Sequence, residues 1–210
     1  MNHQIRHMIK SLALCAFGFL ICISKADAAQ IQIVAFGTSF TAGKGVETSK
    51  AYPAQLESIL KSGGDDVRIA NQGVNGNTTR DLLGRISDAV PENTDIVILE
   101  YAIGNDTKRR ISREDTVKNV GEIISRLTAR KIQVLLLIRG RNKDQVEKRT
   151  SWFRETIAKF GIAFFPIEQP PSTLLSDGRH PTAESHRSIA ESMAPTVKRL
   201  IELAKATGKQ

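Results

Sequence analysis

The segment 95–101, with the sequence DIVILEY, holds four successive apolar residues, and the polar segment Gly104-Asn105-Asp106 follows three residues after its end. A short apolar run without polar alternation is typical of a strand that is buried on both faces. Glycine, asparagine and aspartate directly after such a run are typical of a loop. The stretch therefore predicts a buried strand of a parallel sheet, followed by a loop with polar side chains.

Similar short apolar runs recur along the chain, and segments with helical spacing separate them. The other predicted strands are 31–36, 67–70, 132–138 and 162–166. The predicted helices are 52–62, 78–90, 112–127, 145–160 and a last one from 182. Regular alternation of strands and helices is typical of right-handed crossovers, which give a parallel sheet covered by helices on both faces.

The first 29 residues have the order of features of a secretory signal peptide. Arg6 and Lys10 precede an almost wholly apolar segment, 11–24, and the small-residue pattern Ala26-Asp27-Ala28 follows it. The apolar segment is shorter than the ~20 residues that a membrane-spanning helix requires. We therefore predict cleavage after Ala28, a signal peptide at 1–28, one domain at 29–210, and a periplasmic or secreted protein.

Both cysteines, Cys15 and Cys22, lie inside that segment, so the domain 29–210 contains none. A disulfide, a thiol nucleophile and a thiolate metal site are thereby excluded from the mature domain. The formal net charge of the whole chain is +8, but only 5% of the residues are aromatic. Because proteins that bind single strands combine basic grooves with aromatic stacking residues, we predict no nucleic-acid partner.

Residues with catalytic potential follow the predicted strands. Ser39 follows the first strand, Gly76 lies after the second, Asn105 follows the third, and Asp177 and His180 precede the last helix. In an open parallel sheet, the loops at the carboxyl ends of the strands lie at one edge, where ligands bind. We therefore expect these five side chains or backbone groups to meet at that edge.

This set of residues matches the requirements of acyl transfer. A serine hydroxyl becomes an effective nucleophile when a neighbouring imidazole accepts its proton. A carboxylate on the other ring nitrogen holds the imidazole in the required tautomer. Backbone N–H groups and an asparagine amide stabilise the negative oxygen that develops on the attacked carbonyl. Asp177 lies three residues before His180, and Gly178 between them permits a tight turn.

The four segments GTS (37–39), NGNT (75–78), GND (104–106) and DGRHP (177–181) resemble, in order, the sequence blocks of the GDSL/SGNH hydrolase superfamily. Within it, the chain is most similar to the periplasmic lysophospholipase/thioesterase I (arylesterase) group. The resemblance implies a flavodoxin-like three-layer α/β/α sandwich with a five-stranded parallel sheet. It implies no metal and no organic cofactor.

The resemblance also implies a role for each matching residue. Ser39 corresponds to the nucleophile, and Asp177 and His180 correspond to its two partners. Gly76 and Asn105 correspond to the oxyanion-hole residues, together with the N–H of Ser39.

Two features depart from the family pattern. Thr38 stands where the family has the aspartate of Gly-Asp-Ser, and we expect it to change local hydrogen bonding more than chemistry. The segment between Asn105 and Asp177 is short, which leaves the acyl preference open. Arg139, Arg141 and Asn142 follow the fourth strand, where they either contact an acidic headgroup or a sugar or belong to a solvated loop.

The predicted function is an exported serine esterase or thioesterase that acts on small-molecule or lipid esters, with lysophospholipids among the candidates. A carbohydrate O-acetyl esterase would use the same catalytic residues. A non-catalytic periplasmic binding protein on the same fold is the alternative from another class, because fold alone does not establish function. We predict no stable membrane insertion after signal cleavage, and the sequence predicts no oligomeric state.

Overall fold

The computed structural model describes residues 30–207, so the predicted signal peptide and its cleavage site lie outside the described residues. Five strands form one sheet in which every neighbouring pair is parallel. The strands are β1 (Ile31–Gly37), β2 (Val67–Gly73), β3 (Ile96–Glu100), β4 (Gln133–Gly140) and β5 (Ala163–Glu168). Their order across the sheet is β2-β1-β3-β4-β5. This is the flavodoxin-like order of doubly wound sheets, so the predicted fold class is confirmed.

Helices cover both faces of the sheet. The helices are α1 (Ser39–Ala42), α2 (Tyr52–Ser62), α3 (Thr79–Ala89), α4 (Ile103–Lys108), α5 (Arg113–Ala129), α6 (Lys143–Phe160) and α7 (Ala183–Thr207). Helices α3, α5 and α6 contribute buried side chains to one core, and α1, α2 and α7 contribute to the other. The three-layer arrangement follows, because each apolar sheet face must be covered by an apolar helix face.

Alternate residues of each strand supply the two cores. In β1, Val34 and Phe36 belong to the core under α3 and α5, whereas Ile33 and Ala35 belong to the core under α2 and α7. Successive side chains of a strand point to opposite faces, so a strand covered on both sides must be apolar throughout. This requirement explains the continuous apolar runs in the sequence.

Most predicted helix boundaries are confirmed within one or two residues. Thr78 caps α3 through a capping box with Asp81, and Ser112 caps α5 by accepting a hydrogen bond from the Asp115 N–H. Strand β2 extends three residues beyond its predicted end at Ala70, because it stays paired with β1 as far as Gly73. Helix α6 begins two residues before its predicted start at Gln145.

The predicted loop at 104–106 is wrong, because these residues lie in the short helix α4. The N–H groups of Asn105 and Asp106 both donate to the Ala102 carbonyl. The fully buried Asp106 carboxylate accepts hydrogen bonds from Thr79 at the start of α3 and from Thr116 in α5. These long-range bonds hold the segment in a helical turn. No helix within residues 30–207 has both the length and the apolar character needed to cross a membrane.

Candidate active site

Ser39 lies at the carboxyl edge of the sheet, as the first residue of α1 directly after β1. The short helix turns the chain sharply, because Gly43 ends it in the left-handed conformation with φ of 74°. The Ser39 side chain is partly exposed, whereas Thr38 and Phe40 on either side are buried. The nucleophile candidate is therefore held by buried neighbours while its hydroxyl remains accessible.

A continuous chain of hydrogen bonds joins three of the predicted site residues. The distance from Ser39 Oγ to His180 Nε2 is 2.9 Å, and the distance from His180 Nδ1 to Asp177 Oδ2 is 2.5 Å. With the imidazole proton on Nδ1, where the carboxylate accepts it, Nε2 is free to accept the serine proton. These are the nucleophile–base and base–carboxylate distances that proton transfer from a serine requires.

The loop before α7 places Asp177 and His180 on the same side. Gly178 adopts φ of 62°, a left-handed conformation that glycine tolerates best. Asp177 Oδ1 accepts hydrogen bonds from the backbone N–H groups of Arg179 and His180. The hydrogen bond from the His180 ring, followed by these two backbone bonds, holds the pKa of Asp177 well below its usual range. Asp177 is therefore an anion, although 43% of its side chain is exposed.

Three N–H donors face no protein partner in this region. The Ser39 and Gly76 backbone N–H groups have no hydrogen-bond acceptor among residues 30–207. The Asn105 amide donates one hydrogen to the Asn77 carbonyl at 2.7 Å, so its second hydrogen remains available. Ser39, Gly76 and Asn105 all line one cavity. Gly76 has φ of 81°, which explains why the position favours glycine although a side chain would have room there.

Arg85 fixes the Gly76 loop against β1, a role that the sequence did not reveal. Its guanidinium donates to Asn77 Oδ1 at 2.7 Å and to the Gly37 and Gln72 carbonyls at 2.9 Å each. The guanidinium also lies over the Phe36 ring. One side chain from α3 therefore joins the ends of β1 and β2 to the loop that follows β2.

Glu100, at the end of β3, is the second residue that sequence reasoning missed. It is 2% exposed, and its carboxylate accepts hydrogen bonds from the N–H and hydroxyl of both Thr38 and Thr41. Arg139 forms a salt bridge with it at 2.7 Å. The sequence feature that could have revealed it is a charged residue inside a buried apolar strand, since a buried carboxylate requires partners. Thr38, the departure from the family pattern, is thus bonded to a carboxylate from another strand.

The predicted substrate residues separate into two groups. Arg139 and Arg141 line the same cavity as Ser39 and His180, and the cavity has a volume of about 380 Å³. Asn142 does not line it, and its side chain instead caps α6 by accepting a hydrogen bond from the Gln145 N–H. Trp152 of α6 does not line the cavity and packs against the apolar core.

His186 is fully buried between Phe40 and Tyr52, and its Nδ1 accepts a hydrogen bond from the Tyr52 N–H. Burial, followed by the positive charge of Arg139 and by His180, lowers its pKa from 6.5 to about 4. We therefore assign His186 to the core rather than to the chemistry. Among residues 30–207, no group of three or more histidine, cysteine, aspartate or glutamate side chains is arranged to hold a metal ion.

The pKa shift of His186 predicts a specific loss of stability in acid. Between pH 6.5 and 4, His186 is protonated in the unfolded chain and neutral in the folded chain. The free energy of unfolding therefore decreases as the pH falls through that range. From pH 7 to pH 5 the loss amounts to about 2 kcal/mol. His186→Asn retains an acceptor for the Tyr52 N–H and does not titrate. Urea unfolding at both pH values is expected to show a larger decrease in the free energy of unfolding for the wild type than for the variant. Equal decreases would contradict the assignment of His186 as a buried neutral residue.

The comparisons with known proteins point to one family. A model of the GDSL-like lipase/acylhydrolase family matches residues 35–188. An arylesterase of Vibrio mimicus is 26% identical over 197 residues, which cover 89% of this chain and 96% of that protein. The Escherichia coli protein named thioesterase 1/protease 1/lysophospholipase L1 is 24% identical and covers 88% of this chain and 92% of its own length.

Solved structures agree with these sequence matches. The crystal structure of AlinE4, described as a SGNH-hydrolase family esterase, is 29% identical with a TM-score of 0.61. The match covers 81% of this chain and 96% of the AlinE4 chain. The family and the relatives therefore indicate hydrolysis of carboxylic esters.

Proposed function

Because the chain belongs to the GDSL-like lipase/acylhydrolase family and is a carboxylic ester hydrolase, we propose that Ser39, His180 and Asp177 are its catalytic triad. The proposal rests above all on the unbroken hydrogen-bond chain from Ser39 Oγ through the His180 ring to Asp177. We also propose export through the segment 1–28, whose charge and apolar pattern support it.

The first half of the reaction forms an acyl-enzyme. Ser39 Oγ attacks the acyl carbon while its proton moves to His180 Nε2, and the Asp177 carboxylate stabilises the resulting imidazolium. The N–H groups of Ser39 and Gly76 and the Asn105 amide stabilise the oxyanion of the tetrahedral intermediate. The intermediate then collapses, the bond to the leaving oxygen or sulfur breaks, and that atom takes the proton from His180.

The second half releases the acid. A water molecule attacks the acyl carbon, His180 accepts its proton, and a second tetrahedral intermediate forms at the same donors. Collapse breaks the bond to Ser39 Oγ, which recovers its proton from His180. The sum is one ester and one water converted to one acid and one alcohol or thiol, so no cofactor enters the balance.

Labelling with a fluorophosphonate probe tests the activated serine without a choice of substrate. The folded chain from Ala29 is expected to become labelled at Ser39, and the Ser39→Ala variant is expected to remain unlabelled. If a folded wild type did not react, or if Ser39→Ala reacted equally, the assignment of Ser39 would be wrong.

Removal of the Asn105 amide is expected to slow the chemical step more than binding. In serine hydrolases the loss of one such donor costs roughly 2.7–4 kcal/mol of transition-state stabilisation, or about 10²–10³ in kcat. Asn105→Ala should therefore lower kcat with little change in KM for a nitrophenyl ester. Asn142→Ala is the matched control, because it removes a helix cap outside the cavity. Equal kcat values for the two variants would contradict the oxyanion role.

The composition of the cavity lining favours substrates with short acyl groups over those with long ones. Only four of its lining residues are apolar or aromatic: Tyr101, Ala102, Ile103 and Leu174. A long acyl chain gains affinity by leaving water for apolar surface, and this cavity offers little of it. The same observation favours carbohydrate O-acetyl esterase activity as the second candidate function. Faster hydrolysis of acetylated sugars than of long-chain nitrophenyl esters would support it, and the reverse order would support a lipid substrate.

A further inference from the structure

The cavity around Ser39 carries a large excess of positive charge. Its lining includes one carboxylate, Glu100, and six basic side chains: Lys44, Lys108, Arg139, Arg141, Arg149 and Arg179. Asp177, which borders His180, already accepts three hydrogen bonds from its own loop. A concave surface with charges of one sign concentrates ligands of the other sign.

Most of this charge is not neutralised within the protein. Glu100 is paired with Arg139, so these two charges cancel. Arg141 and Arg149 donate only to backbone carbonyls, those of Gly178 and Arg139. The side chains of Lys44, Lys108 and Arg179 have no hydrogen-bond or ion-pair partner among residues 30–207. Five positive charges around a small cavity therefore lack a protein counter-ion.

Two residues of the cavity wall also carry buried polar atoms without a protein partner. Gln169 is 6% exposed and Tyr101 is 3% exposed, and both line the cavity. Gln169 Nε2 and the Tyr101 hydroxyl have no hydrogen-bond partner, although Gln169 Oε1 accepts a bond from Arg139. Burial raises the pKa of Tyr101 to about 12, so its hydroxyl remains a proton donor. Buried donors without acceptors are costly and uncommon, but neither atom can contact a ligand in the cavity unless its side chain moves.

Two of the basic residues, Arg141 and Arg179, lie on the leaving-group side of the site. His180 must deliver its proton to the leaving oxygen, so the alcohol part of the substrate lies next to the imidazole. Arg179 is adjacent to His180 in the chain, and Arg141 donates at 2.8 Å to Gly178 in the same loop. The oxyanion donors, by contrast, come from the start of α1, from the loop after β2 and from α4. Arg141 and Arg179 are therefore positioned for the alcohol rather than for the acyl group.

We propose that the cavity recognises esters whose alcohol part carries an anionic oxyacid group, a carboxylate or a phosphate. The anion would be bound by Arg141 and Arg179, which line the cavity and have no carboxylate partner. This inference rests on the proposed function, because it assumes that Ser39 attacks the ester and that His180 protonates the alcohol.

Matched esters that differ in one charge test the proposal. The neutral substrate is methyl 4-acetoxybenzoate, and the anionic ones are 4-acetoxybenzoate and 4-acetoxyphenyl phosphate. Each kcat/KM is divided by the rate constant for spontaneous hydrolysis of the same ester by water, an uncharged nucleophile, which corrects for the difference in leaving-group reactivity. At low salt the wild type is expected to prefer at least one anionic ester by about tenfold or more. Raising the ionic strength should reduce the preference, because salt screens exposed charges.

Variants connect the preference to the residues. The double variant Arg141→Gln/Arg179→Gln is expected to lower the ratio of anionic to neutral kcat/KM at least fivefold. Gln169→Glu, which keeps the size and adds a negative charge, is expected to lower the same ratio. The matched control is Arg126→Gln, an exposed arginine on α5 outside the cavity, which should change neither the ratio nor the activity.

The outcomes distinguish failure of the proposed charge preference from failure of the proposed esterase function. Preference for the carboxylate or for the phosphate identifies the oxyacid and supports the proposal. Hydrolysis of all three esters with no charge preference, or a ratio unaffected by both cavity variants, overturns the proposal and leaves Ser39 as the nucleophile. If none of the esters were hydrolysed and the fluorophosphonate did not react, the proposed function itself would fail.

Discussion

Replacement of Ser39 by alanine is expected to lower kcat for an activated ester by about a millionfold. The size of the effect follows from the arrangement of the proposed triad. Every proton that His180 transfers in the proposed mechanism belongs to a step that forms or breaks a bond to Ser39 Oγ, and Asp177 acts only through His180. Without the hydroxyl both partners lose their function together, and only the oxyanion donors and substrate binding continue to contribute.

The measurement is kcat and KM for a nitrophenyl acetate-type ester with purified wild type and variant. KM should change little, because the lost hydroxyl contributes to the transition state rather than to ground-state binding. Ser58→Ala is the matched control, since Ser58 is an exposed serine on α2 and is outside the active-site cavity. A Ser39→Ala enzyme that retained more than about one hundredth of the wild-type kcat would exclude Ser39 as the nucleophile.

The strands and most helices could be predicted because their determinants are local. Segments such as IVILE in β3 are apolar on both faces, and only a strand covered on both sides imposes that pattern. Thr78 and Ser112 mark helix starts through hydrogen bonds to residues three positions away. The positions of Ser39, Asn105 and His180 at one edge then follow from the parallel order of the strands.

What the sequence could not predict depends on contacts between distant residues. Residues 103–108 are helical because the Asp106 carboxylate accepts hydrogen bonds from Thr79 in α3 and from Thr116 in α5. The Glu100 network joins three strand ends through Thr38, Thr41 and Arg139, whose positions differ by up to 101 in the chain. Neither spacing nor composition reveals such pairings, because they depend on which strands are neighbours in the sheet.

The Glu100 network also bears on the departure at position 38. In the family pattern an aspartate precedes the serine, whereas here Thr38 occupies that position and receives its carboxylate partner from β3. Glu100 also accepts the Thr41 N–H, so it bonds residues on both sides of Ser39. The absence of an aspartate beside Ser39 is thus accompanied by a buried carboxylate at the same turn. The expectation that Thr38 changes hydrogen bonding more than chemistry stays a prediction.

Replacement of Asp177 by asparagine is expected to lower kcat by about 10⁴ while the loop keeps its shape. The two carboxylate oxygens have different partners, which makes the substitution selective. Oδ1 accepts the N–H groups of Arg179 and His180, and an asparagine oxygen can accept both. Oδ2 accepts the imidazole proton from Nδ1, and the NH₂ group that replaces it can only donate.

The asparagine therefore stabilises the tautomer with the proton on Nε2, which cannot accept the Ser39 proton. The measurement is kcat at neutral pH together with thermal unfolding, and Asp88→Asn on α3, an exposed aspartate outside the cavity, is the matched control. Because the pKa of Asp177 lies well below its usual range, the wild-type carboxylate should remain ionised across the whole active pH range. Acidification should therefore not make the wild type resemble Asp177→Asn through protonation of this group. If Asp177→Asn kept activity within about tenfold of the wild type, the partly exposed carboxylate would not control the tautomer, and the base would have to be oriented by the protein backbone instead.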